Sequence, residues 1–182
     1  MKDLSIPMAR MHLLAIPFLL VSGMLVAPYG LVWGWHSVTS GFNQFFKLIN
    51  FIPTMLLGII LHEGLHGLGW KYAAKLRWDD MRYGMQWKSL TPYAHSKEPM
   101  RKSPYVIGSL LPGVLLGIIP YTVALAIGHG WLMLFGVVFT FTAAGDFWSV
   151  YTLRKAHPDA WVQDHSENVG CIVYEDDPKG PS

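Results

Sequence analysis

The chain is short of cysteine and short of charge, and each shortage excludes something. Cys171 is the only cysteine among 182 residues, so no intrachain disulfide can form. Nothing near this thiol would activate it, and it reads as inert. Charged residues make up 14% of the chain, against about 25% in an average soluble domain. The net charge of +2 is too small for nucleic-acid binding. No internal repeat is visible, and the length allows one domain, taken as residues 1–182. The apolar run near the N-terminus lacks a small-residue cleavage site and contains Pro17 and Pro28, so it reads as a retained helix rather than a signal peptide.

What the chain has instead is apolar length. Apolar residues account for 52% of it, and the mean hydropathy is +0.30. Four segments are long enough to span a bilayer: about 12–33, 50–70, 104–127 and 131–153. Pro53 falls in the first turn of the second, where proline is tolerated, and Pro112 and Pro120 are expected to bend the third. Only Gly128-His129-Gly130 separates the third from the fourth. A polar loop, 71–103, separates the second from the third, and a polar tail, 154–182, follows the fourth. The fold expected is an all-α polytopic membrane protein with four transmembrane helices.

Charge orients these spans. Lys47 alone lies in the first loop, and the other thirteen of the fourteen Lys and Arg fall in the N-terminus, the 71–103 loop and the tail. The positive-inside rule then puts both termini and the long loop in the cytoplasm.

Within the second span, residues 62–66 read His-Glu-Gly-Leu-His. On a helix, His62 and His66 project from one face and can share a metal ion. Glu63 stands one step round, where it can act as general base on activated water. Chance places this pattern in a chain of this composition only roughly once in a hundred. A buried glutamate in hydrocarbon costs several kcal/mol unless something compensates it, and a divalent cation does so. The alternative is a hydrogen-bonded polar cluster between helices.

Only one other acidic residue, Asp146, lies inside a span. His62 precedes Lys71 by nine residues and Asp146 precedes Arg154 by eight, so both lie roughly 12–14 Å inside the same boundary at about 1.5 Å per residue. Gly64 and Gly67 on one helix, and Ala143, Ala144 and Gly145 on the other, would permit close approach. A catalytic zinc site uses three protein ligands and an open position. Asp146 would complete the set, with His95 in the loop as its main rival and His165 in the tail as another. Two His and a carboxylate also suit iron or cobalt; the adjacent Glu63 favours hydrolysis with zinc. Other functions stay in play: a metal-stabilised protein that binds a partner, or a metal transporter, which the absence of repeated halves disfavours.

These residues also carry a resemblance. The His-Glu-Gly-Leu-His helix is followed by a basic loop with Arg82-Tyr83-Gly84-Met85-Gln86-Trp87 and Pro92-Tyr93-Ala94-His95. A Pro-containing helix and Gly145-Asp146 come next. The pattern resembles a bacterial family of integral-membrane proteins classed as zincin peptidases, from the second span into the tail. More distantly it is similar to the site-2 protease group, which cuts membrane proteins within or near the bilayer. That group's aspartate is usually followed by glycine after an Asn-Pro context, whereas Asp146 is preceded by Gly145 and followed by Phe147. The resemblance implies one Zn2+ held by His62, His66 and Asp146, with Glu63 as base. It implies a multi-pass protein of the bacterial cytoplasmic membrane, with the bilayer and a membrane-associated protein or peptide substrate as its partners. Residues 81–95 are expected to form a short hairpin whose 82–87 edge pairs with an extended substrate. Cys171-Ile172-Val173-Tyr174 reads as one strand, pairing with that hairpin or hanging free, and Glu175-Asp176-Asp177 as solvated.

Overall fold

The computed structural model describes residues 1–87, 91–165, 168–178 and 180; Lys88 and Lys179, both part of the charge pattern, lie outside them. The fold is mostly helical, with small sheets, and the chain forms two compact units. Three helices are long and apolar enough to cross a membrane: Ile16–Trp33, Leu48–Ala73 and Lys102–Ile127. The bent pair Gly130–Thr142 and Ala144–Leu153 makes a fourth if counted as one span. At about 1.5 Å per residue, a helix of 26 residues reaches roughly 39 Å, beyond the ~30 Å of a hydrocarbon core.

The helical unit comprises 14–62 and 112–144. It takes most of α1 (Met8–Met24), then α2 (Val26–Trp33), α3 (Trp35–Phe45) and the first part of α4 (Leu48–Ala73). The end of α5 (Lys102–Pro112), a π-helical stretch at Gly113–Ile118, α6 (Ile119–Ile127) and α7 (Gly130–Thr142) complete it. The sequence reading leaves 34–49 as a loop, yet α3 forms there. Its polar Ser37, Thr39, Ser40, Asn43 and Gln44 hide a buried stripe of Val38, Gly41 and Phe45. That stripe packs with Tyr29, Ala124, Met133, Leu134 and Val137. Gly41 meets Gly130 backbone to backbone; a Cβ on Gly41 would come within 2.6 Å of the Gly130 carbonyl oxygen. Gly128 ends α6 in the left-handed conformation (φ 74°), and His129 caps α7 by accepting from the Leu132 amide. Between Pro112 and Pro120 the helix does not simply bend. Pro120 has no N–H to offer Leu116, and the register slips to π: the Ile119 amide donates to the Val114 carbonyl.

The mixed unit comprises 1–13, 63–111 and 145–182. Here β2 (Met81–Gln86) and β3 (Thr91–Ser96) form the expected hairpin, in register from Met81↔Ser96 to Gln86↔Thr91. A second, antiparallel sheet runs in the order β1 (Lys2–Asp3), β6 (Cys171–Tyr174), β5 (Trp161–Asp164), β4 (Met100–Arg101). The tail strand therefore exists as expected, but it pairs with the N-terminus and with β5 rather than with the hairpin. Its alternation explains the choice. Cys171 and Val173 point inward with Val162, Met100, Tyr105, Leu153 and Trp70, and pairing Val162 with Val173 keeps those faces together. Burial pushes the Cys171 thiol up to about 12, in keeping with an inert cysteine. Glu175, Asp176 and Asp177 are exposed.

Candidate metal centre

The centre is built on α4. One turn of helix separates His62 from His66, and their side chains are nearly buried, at 8% and 6% exposure. Asp146 comes from the first turn of α8 (Ala144–Leu153), where a carboxylate is favoured by the helix dipole. His62, His66 and Asp146 each offer a ligand atom, and these atoms all lie within 4.8 Å of one another. The spacing on α4 and the depth match with Asp146 were both legible in the sequence. His95 was a rival, and the structure holds it elsewhere. Its Nδ1 is 3.1 Å from Asp164 Oδ2, and strand alternation puts it on the opposite hairpin face from Tyr83, which leans on α4.

His66 shows why the set suits a cation. Its Nδ1 lies 3.0 Å from the Gly108 carbonyl oxygen, which can only accept, so Nδ1 carries the proton. The Nε2 lone pair of the neutral ring then faces Asp146 Oδ1 at 3.3 Å. Two acceptors at that distance repel unless a positive charge lies between them, either a further proton or a metal ion. An imidazole ligand whose other nitrogen donates to a carbonyl is also the usual outer-shell arrangement of a metal histidine.

The Gly108 carbonyl reaches His66 because α4 and α5 touch backbone to backbone. A Cβ on Gly69 would lie 2.6 Å from Gly108 Cα, and one on Gly108 would strike the Trp70 indole. Behind His66 the Trp70 ring stacks at 5.5 Å, and Tyr105 stacks on Trp70 at 6.1 Å. The Tyr105 hydroxyl donates to Asp164 Oδ1 at 3.1 Å. Burial raises the Asp164 carboxyl, and its hydrogen bonds to His95 and Tyr105 pull against that. Sequence reasoning missed this outer shell. Trp70 had a signal, since it falls four residues after His66 on the same face; a backbone carbonyl at Gly108 has none.

A family model described as DUF3267, putative zincin peptidase, matches residues 55–161, more than half of the chain. The chain belongs to this zincin family. The matched region holds His62, Glu63, His66 and Asp146, together with the hairpin and Gly108, and leaves β1, α1, α2, α3 and β6 outside it. No curated protein and no solved structure matches the chain. Zinc is the ion a zincin implies, and the donor set here, two imidazoles and one carboxylate, is one that zinc accepts with a position left open.

Proposed function

We propose that the chain is a membrane-embedded zinc metallopeptidase that hydrolyses peptide bonds of membrane or membrane-proximal proteins. The observation that carries the reading is the three-residue group on α4 and α8 with Glu63 between its two histidines. His62, His66 and Asp146 hold the ion. When bound, zinc makes water acidic enough to attack at neutral pH and polarises the scissile carbonyl. Glu63 takes the proton of the attacking water and delivers it to the leaving amine. One C–O bond forms, the C–N bond breaks, and no redox partner is needed. The apolar helices support a place in the bilayer, and the charge pattern supports a topology with both termini and the 71–103 loop in the cytoplasm. The substrate is extended rather than helical at the cut. Among the described residues β2 belongs to a two-stranded sheet with β3, and a peptide strand would add along its other edge.

Metal content of the detergent-purified protein, measured by mass spectrometry, tests the site. About one zinc per native chain is expected, lost in His62→Ala and in Asp146→Asn. Glu63→Gln should keep the zinc and lose all cleavage of a membrane-protein peptide library in micelles. Zinc retained by Asp146→Asn would move the third ligand, and turnover by Glu63→Gln would end the general-base role.

A further inference from the structure

The face of the hairpin that lies on α4 brings one hydroxyl to the site. Met81 and Tyr83 both contact α4 at Gly67, and a Cβ on Gly67 would overlap the Tyr83 hydroxyl. The phenol thus occupies the place where the side chain of residue 67 would begin. That place is the i+4 neighbour of Glu63, where paired helical side chains meet with their Cβ atoms about 5–6 Å apart, within the reach of a glutamate. Gly67 is buried, and glycine is the residue that admits the phenol. The hydrogen bond that Tyr83 makes within the hairpin is to Met81 Sδ at 3.8 Å, a weak acceptor that a carboxylate outcompetes. Partial burial and the Glu63 charge both raise the phenol, so it stays protonated and able to donate.

From these contacts we propose that Tyr83 is a positioning residue: its hydroxyl, carried onto α4 by β2 and admitted by Gly67, donates to the Glu63 carboxylate and aims it at the attacking water. The proposal rests on the peptidase reading for its consequence in turnover, but the contact itself does not. It also gives the hairpin a second task. The strand whose outer edge would take the substrate is the strand that holds the base, so a peptide seated on β2 and a correctly aimed Glu63 are parts of one arrangement.

Tyr83→Phe keeps the ring and removes the donor. Two measurements are made on it, one of which needs neither zinc nor substrate. In metal-free protein labelled with 13C-glutamate, the carboxylate infrared band that disappears in Glu63→Gln is expected to shift in Tyr83→Phe. In the zinc-loaded protein, zinc content and KM should stay within about twofold of native while kcat falls about tenfold; a purely structural loss would instead lower zinc content or raise KM. Gly67→Ala, whose methyl displaces the hydroxyl, should reproduce both effects. An unmoved Glu63 band with native kcat in Tyr83→Phe overturns the proposal. A band that shifts in Tyr83→Phe, together with a native chain that cleaves nothing, supports the contact and overturns the peptidase reading instead.

Discussion

At the scale of single residues, the site divides into side chains that announce their chemistry and backbone groups that do not. His62, Glu63, His66 and Asp146 were legible because imidazoles and carboxylates in an apolar run are costly and need a reason. The Gly108 carbonyl, which fixes the proton on His66 Nδ1, was not legible, since every residue has a carbonyl and only the approach of α5 to α4 selects this one. That approach depends on Gly69 having no side chain. Gly69→Ala would set a methyl against Gly108 and lengthen the hydrogen bond to His66. A loss of zinc affinity of about tenfold or more is expected, the usual effect of removing an outer-shell partner, and competition against a chelator of known affinity would measure it.

At the scale of elements, the sequence showed which segments are apolar and left their partners undetermined. Three of the apolar runs appear as long helices and the fourth as the bent pair α7 and α8, and the 81–95 hairpin and the strand at 171–174 are both present. The α3 helix was hidden because its polar face outnumbers its buried stripe. The sheet order was hidden because β1 and β4 have two residues each, too short for any alternation to show. Placing β6 between β1 and β5 buries Cys171, and this has a consequence for stability against pH. The folded thiol is held at about 12, above the ordinary 9.0, so the folded protein keeps a proton that the unfolded chain releases. The contribution is therefore complete below pH 9 and is lost as pH rises through 9 toward 12. By pH 10.5 the loss from this one group is about 2 kcal/mol. Denaturant unfolding of native protein and Cys171→Ala between pH 8 and 10.5 checks it: Cys171→Ala should start less stable and show the shallower fall. Equal slopes would mean the thiol does not couple to folding.

At the scale of the whole molecule, the strongest regularity is the partition of charge. Apart from Lys47, every Lys and Arg falls in the segments assigned to one side of four spans. The count of four requires the bent pair α7 and α8 to act as a single span, and dropping it would scatter the basic residues. Single-cysteine labelling in intact cells tests this directly, on a Cys171→Ala background. A cysteine placed at His129 should react with a membrane-impermeant maleimide from outside, and one placed at Lys75 should react only after permeabilisation. Labelling at Lys75 in intact cells would overturn the proposed topology.

The sheet that joins residues 2–3 to residues 171–174 also sets an order of assembly. Residues 2–3 lie far upstream of their partner β6 at 171–174, so β1 is synthesised well before the strand it pairs with. Until then β1 has nothing to pair with, and β5, which carries Asp164, lacks the neighbour that buries it. Asp164 anchors Tyr105, which backs Trp70 and through it His66. A nascent chain can thus insert its apolar helices while the shell behind the candidate metal site is still open, and that shell closes only once β6 has been made.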